Sequence, residues 1–287
     1  MLRLGNRSFA DDHLLIMAII NRTPDSFFDR GATFADAEAL AAVDRAVAEG
    51  ADIIDVGGVK AGPGDPVDTQ EELRRTVAFV SQVRKAHPEV VISVDTWRAE
   101  VGRAVCEEGA DLLNDAWEGH DPRLAEVAGE YGVGLVCTHA GGQVPRTRPH
   151  RVEYRDVVAD IVATTRALAD RAVACGVPRE SVIIDPGHDF GKTTPQTLTA
   201  TAATDQLVAT GWPVLMSLSR KDFVGETLDI AAPADRLLGT LAASAVTAWL
   251  GARVWRVHDV AATRQVLDMV SSIRGDRLPA RAVRGRA

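Results

Sequence analysis

Short runs of β-branched and aliphatic residues alternate along the chain with longer Ala-, Glu- and Arg-rich stretches of helical period, the pattern of parallel strands covered by helices. The apolar runs predict strands over residues 14–20, 53–56, 90–94, 112–113, 134–138, 182–184, 214–217 and 254–257. The helical stretches between them cover 35–49, 69–86, 98–108, 122–131, 152–174, 195–210, 235–250 and 260–273. Gly50, Gly109, Gly132, Gly176, Gly211 and Gly251 each follow one of these helices, where a residue at positive φ closes the last turn. Eight such units without a composition break, and a first strand lacking the GxGxxG turn of a dinucleotide fold, predict an α/β protein built as a single (β/α)8 TIM barrel. The barrel is expected over residues 1–273. Residues 274–287, with five arginines and little to bury, are expected to form a disordered tail.

Composition supports one unit. The 287 residues are 46% hydrophobic and 25% charged, and α/β barrels of roughly 250 residues form single domains. A formal charge of −8 argues against a dedicated nucleic-acid binder, which carries clustered Lys and Arg, so any anion has to be held by a local site. Cys106, Cys137 and Cys175 are far apart, with neither disulfide density nor CxxC spacing, which fits a reducing cytoplasm. No apolar run approaches the roughly 18 residues of a membrane span, and the start MLRLGNRSFADDH lacks a signal-peptide core. The expectation is a cytoplasmic protein with no membrane partner.

In such a barrel the C-terminal strand ends converge on the ligand site. Polar residues stand at each of them: Asn21, Asp55, Asp95, Asn114, His139, Asp185, Ser219 to Lys221, and Arg256 with His258. Asp and Asn pair with the donor and acceptor edges of a heterocycle, whereas Lys, Arg and His suit phosphate oxygens. Asp95, Asn114 and Asp185 form the first group. Arg256 and His258, two apart on a strand, face one side and can grip one phosphate. Asn21 and the loop Thr23-Pro24-Asp25-Ser26 offer oxygen ligands of the kind Mg2+ takes when it bridges a diphosphate. Asp55, closing a strand before Gly57-Gly58, is expected to cap a turn. The run 187–193 is one residue short of a P-loop, and His13, His87, His120 and His150 stand alone without zinc spacing.

Taken in order, MAIINRTPDSFFDRG (17–31), DVGG (55–58), SVDT (93–96), LLND (112–115), IIDPGHDFGK (183–192), SLSRKDF (217–223) and RVHD (256–259) resemble the dihydropteroate synthase family over nearly the whole barrel. The resemblance implies a transferase of folate biosynthesis that condenses dihydropterin-methyl pyrophosphate with an arylamine, p-aminobenzoate, and releases pyrophosphate. It implies pterin binding by Asp95, Asn114, Asp185 and Lys221, with Asp95, Asp185 and Lys221 catalytic. Pyrophosphate would be bound by Asn21, Arg256 and His258, with Asn21 on Mg2+. The resemblance further implies a homodimer formed through the helices over 235–250 and 260–273, where Ala242, Ala243, Ala245, Val246 and Trp249 make an apolar, small-residue surface.

The departures from the family fall mainly on its second-substrate site. After DVGG the family usually continues Glu-Ser-Thr-Arg-Pro-Gly, and this chain reads Val59-Lys60-Ala61-Gly62-Pro63-Gly64. The first loop carries Arg22, Phe28 and Arg30 as bulky or charged replacements. Asp222 stands for the usual Ser, His188-Asp189 for Ile-Gly before Phe190, and Ala140 for Met. Phe190, Lys60, Ala61, Gly62 and Asp222 therefore mark an altered p-aminobenzoate site, in which Asp222 would repel a carboxylate-bearing substrate unless Lys60 or Arg22 compensates. Two activities follow from this pattern: a synthase with an altered loop pair, or a divergent paralogue with weak or no synthase activity. A corrinoid methyltransferase barrel, which shares the Asp, Asn and Asp positions, is disfavoured by Lys221, Arg256 and His258 and by the lack of a cobalamin module.

Overall fold

The computed structural model describes residues 1–23, 36–62, 65–147 and 152–284. Pro24, Asp25, Ser26, Phe28 and Arg30 of the first loop, Pro63 and Gly64 of the second, His150 and the last three residues of the tail lie outside the described residues. The chain opens with a hairpin, β1 (Leu2–Leu4) and β2 (Arg7–Phe9). It continues as β3 (Leu15–Asn21), α1 (Asp36–Ala48), β4 (Ile53–Gly57), α2 (Thr69–Ala86), β5 (Val91–Asp95), α3 (Ala99–Glu107), β6 (Leu112–Asp115), α4 (Arg123–Tyr131), β7 (Gly134–Thr138) and α5 (Val157–Ala174). The last part comprises β8 (Val182–Asp185), α6 (Thr194–Ala202), α7 (Thr204–Val208), β9 (Leu215–Met216), α8 (Asp222–Leu228), α9 (Leu237–Trp249), β10 (Val254–Val257) and α10 (Val260–Arg274).

Strands β3 to β8 pair in parallel and in chain order, and β10 joins β3 to β9. A parallel bridge between Ile184 and Val214 closes the ring. This is the single (β/α)8 barrel that the alternating pattern predicts. Among the described residues no helix is long and apolar enough to cross a membrane.

The two-residue period of the strands decides where the site lies. Ile16, Ile54, Ile92 and Leu113 pack outward against the helices. Their neighbours Leu15, Met17, Ile53, Val91, Leu112, Val136, Ile183 and Val254 form a separate inner cluster, to which Leu2, Leu4 and Phe9 of the hairpin belong. The hairpin thus plugs the N-terminal end of the barrel. Two residues further along the same inner rows stand Asp55, Ser93, Asn114, Asp185 and Arg256. The interior changes from apolar to polar above the plug, and burying that many polar groups is tolerated only if they bond one another.

The structure departs from the periodicity at identifiable points. The hairpin has strands too short to carry a pattern. The helix expected from 152 begins at Val157, because the Asp156 carboxylate accepts from the N–H groups of Val158 and Ala159 at 3.0 and 3.1 Å and caps it. The stretch 195–210 divides at Ala203 into α6 and α7, and α8, only seven residues long, was not expected.

Candidate functional site

Asp55 is the hub of the barrel interior, not the turn cap expected. Its side chain is fully buried. The Ser93 hydroxyl donates to Oδ1 at 2.5 Å, Asn114 Nδ2 lies 3.4 Å from both carboxylate oxygens, and Arg256 Nε donates to Oδ2 at 2.7 Å. Arg256 also donates through Nη2 to Asp95 at 3.0 Å. Asp95, Asn114 and Arg256, assigned by sequence to pterin and phosphate, therefore form one network around a residue that sequence reasoning set aside. The missed signal was the pleat: Asp55 is two residues beyond Ile53, and so faces inward with it. Burial and the neighbouring Asp55 carboxylate push the Asp95 carboxyl upward, against the pull of Arg256.

Across the mouth, Asp185 accepts from the Gly187 N–H at 2.6 Å, and burial raises its pKa while Lys221 lowers it. Lys221 donates to the His188 carbonyl at 2.6 Å and lies 4.9 Å over the Phe190 ring. Burial lowers the Lys221 pKa, opposed by Asp189 and Asp185. The loop that carries these groups is held tightly. Gly187 has φ 65°, and a Cβ there would sit 1.9 Å from the His139 carbonyl, so no other residue fits. Lys192, rejected as a P-loop lysine, is buried and donates to the carbonyls of Phe190 and Gly187 at 2.9 and 3.1 Å and to His139 Nδ1 at 2.7 Å. His139 Nε2 in turn bonds Asp160 at 2.8 Å. His139 is thus a strap on the outer side of β7 rather than a mouth residue, which corrects its place among the strand-end groups.

At the end of β10, His258 pairs with Ser219. Ser219 Oγ accepts the His258 backbone N–H at 3.2 Å and lies 2.9 Å from Nδ1. A hydroxyl carries one donor and two acceptor sites, so Ser219 Oγ can take the backbone N–H and still share a second hydrogen bond with the imidazole. Burial first, then Arg256, pushes the His258 pKa down to about 3. His258 is therefore neutral, and Arg256 alone of the two carries charge. Arg220, with φ 58°, is spent on Asp259, through Nε and Nη2 at 2.8 Å each. Asn21 ends β3 half-buried, and the hydroxyl of the buried Thr23 has no hydrogen-bond partner among the described residues. No group of three or more His, Cys, Asp or Glu side chains among the described residues is arranged to hold a metal.

Beside Phe190 the mouth carries an apolar cluster. Val59, Trp97, Trp117 and Ala140 cluster, with Ala61, Val67 and Phe190 packed against them. Trp117 meets Phe190 edge-on at 4.9 Å and Trp97 at 6.5 Å. Arginines tie the same loop down from outside: Arg75 to Gly58 O at 3.0 Å, Arg98 to Val67 O at 2.7 Å, and Arg146 to Asp65 O at 2.5 Å and Gly62 O at 3.3 Å. Lys60 is half-buried. Asp222 points away, 82% exposed, and pairs with Arg236 at 2.8 Å, so its charge is answered by Arg236 rather than by Lys60 or Arg22. Arg22 is buried over the Phe79 ring at 4.6 Å and ion-paired with Asp36, tying the end of β3 to α1 and α2. Trp97, Trp117 and Arg146 were invisible to motif reading because they lie outside every matched segment.

Known proteins share this fold. The family of pterin-binding enzymes matches residues 17–258. An "inactive dihydropteroate synthase 2" of Mycobacterium leprae is 60% identical over 99% of both chains, and a dihydropteroate synthase of Haemophilus influenzae is 38% identical over 88% of this chain and 91% of its own. The structure of Xanthomonas albilineans dihydropteroate synthase with 4-aminobenzoic acid superimposes with a TM-score of 0.84 at 34% identity, covering 93% of this chain and 95% of that one. With eight strands, one inward polar layer and nearly the whole barrel matched, the chain belongs to the pterin-binding enzyme family as a dihydropteroate synthase-like protein.

Proposed function

We propose that this protein keeps the pterin and diphosphate end of a dihydropteroate synthase and has lost the arylamine end, so that it has weak or no synthase activity with p-aminobenzoate. The observation that carries this reading is the packing of Val59 and Ala61 against Trp97, Trp117 and Phe190 where a second substrate would enter, with the nearby arginines committed to loop carbonyls. The name of the Mycobacterium leprae relative points the same way.

At the retained end, Asp95, Asn114 and Asp185 offer carboxylate and amide groups to a heterocycle, and Lys221 offers an ammonium. Departure of diphosphate would leave positive charge on the pterin methyl carbon, which the carboxylates of Asp95 and Asp185 stabilise. Arg256 and the neutral His258 would receive the leaving oxygens. Asp55, Asp95, Asp185 and Asp189 stand around the two cations Arg256 and Lys221, so a bare diphosphate meets carboxyl groups as well as cations. Mg2+ fits this site: Asn21 and Thr23 supply oxygen donors, and when bound the ion neutralises diphosphate charge.

The remaining parts of the reading are a homodimer and a cytoplasmic location. Leu238, Val246 and Trp249 of α9 with Met269 and Ile273 of α10 are each more than half exposed, an apolar face suited to a second copy. Cys106, Cys137 and Cys175 are free thiols, as a reducing compartment keeps them.

Calorimetric titration with dihydropterin-methyl pyrophosphate tests the retained end. Saturable uptake is expected with Mg2+ and not without it. The variant Asp185→Ala should abolish uptake while its thermal midpoint stays within a few degrees of the parent, since such sites are seldom where stability resides. Absence of saturable uptake by the parent protein with Mg2+ would remove the pterin reading.

A further inference from the structure

Arg256 reaches the mouth from β10 across the barrel interior, and its guanidinium carries five N–H donors. Asp55 takes the Nε–H at 2.7 Å and Asp95 takes one Nη2–H at 3.0 Å. The side chain is 17% exposed while Asp55 is not exposed at all, so these two bonds grip the guanidinium from its buried edge and use two of its five N–H donors. Asp55 is itself braced by the Ser93 hydroxyl at 2.5 Å and faced by Asn114. Directly above Asp55 on the same inner row stands Gly57, between Asn21 and Asp95 in register. It leaves that position without a side chain, and a Cβ there would lie 3.6 Å from Asn21 Oδ1 and 4.0 Å from Asp95 Cβ.

We propose that Asp55 is the positioning residue of the phosphate site: it fixes the Arg256 guanidinium edge-on, through Nε, so that the outer N–H groups face the slot above Gly57 for a phosphate oxygen. The ligand assigned here rests on the pterin–diphosphate reading, but the tether does not. A guanidinium on a flexible four-bond stem loses less entropy per bond to ligand when one edge is already pinned. Ser93 acts one step further back, by fixing the Asp55 carboxylate. Asp55 touches no ligand in this arrangement; it acts through Arg256.

Two measurements test the assignment, one with ligand and one without. In the ligand-free protein, the rate of phenylglyoxal modification at Arg256, followed by peptide mass spectrometry, is expected to rise several-fold in Asp55→Asn and by less in Ser93→Ala. Arg220, whose donors go to Asp259 and nearby carbonyls, serves as the unchanged internal reference. With inorganic pyrophosphate and Mg2+ as the probe, Asp55→Asn should weaken binding about tenfold, the scale of one charged hydrogen bond. The same change in an Arg256→Lys background should add nothing, since the partner is gone. A purely structural Asp55 would shift the thermal midpoint while leaving the modification rate unchanged, or would weaken pyrophosphate binding equally in both backgrounds; either result overturns the proposal. If Asp55→Asn does not fold, Ser93→Ala decides by its modification rate. If the parent protein ignores pyrophosphate, the diphosphate reading fails, and the Arg256 rate still judges the tether.

Discussion

His188 shows what single residues in this site cost. It is fully buried, neither ring nitrogen has a hydrogen-bond partner among the described residues, and its ring stacks on Phe223 at 5.8 Å. Burial beside Lys221 and Lys192 drives its pKa well below 6.5, so the folded state keeps it neutral while the unfolded chain takes up a proton below about pH 6.5. Stability is therefore lost as pH falls through that value. Replacing His188 by Phe keeps the stacked ring and removes two unsatisfied polar atoms, for an expected gain of about 1 kcal/mol at pH 7. The gain should grow by roughly 2 kcal/mol at pH 5, from 1.36 kcal/mol per pKa unit. Urea unfolding of both proteins at the two pH values checks this, and parallel loss of stability in acid would count against it. Residues of this kind were legible only as departures from a motif. Their burial, like the inward turn of Asp55, depends on strands placed side by side from distant parts of the chain.

At the scale of elements, the loop between β4 and α2 is held by residues far from it in sequence. Arg146, after β7, grips the carbonyls of Gly62 and Asp65, and Arg98, at the start of α3, grips Val67 and pairs with Glu72. Arg146→Ala should leave the thermal midpoint within a few degrees, because surface substitutions cost little, yet expose the loop. Tryptic cleavage after Lys60 is expected to rise several-fold relative to the parent, and an unchanged rate would mean that Arg146 does not hold the loop. Helices were read well where local chemistry marks them. Asp68 accepts from Glu71 N–H at 2.8 Å at the start of α2, and Gly132 closes α4 at φ 65°. Where the signal is tertiary nothing was read: the β1–β2 hairpin is two three-residue strands whose Leu2, Leu4 and Phe9 fill the lower end of the barrel.

For the molecule as a whole, the barrel was legible because eight buried strands repeat one pattern that local propensity and burial both support. The family was legible because its polar strand ends come in order. The division of the mouth was legible too, as departures gathered on one substrate site, but the side chains that build it were not. One side is a network of Asp55, Asp95, Asn114 and Arg256 with Asp185 and Lys221 opposite, a set of carboxyl, amide and cationic groups. The other is an apolar cluster of Val59, Trp97, Trp117 and Phe190, under a loop whose carbonyls absorb the arginines that could have faced a carboxylate. The most direct test of that division is a product assay. Purified protein incubated with dihydropterin-methyl pyrophosphate, p-aminobenzoate and Mg2+ should yield dihydropteroate at no more than the background rate of a protein-free control; sustained, protein-dependent formation of dihydropteroate would contradict it.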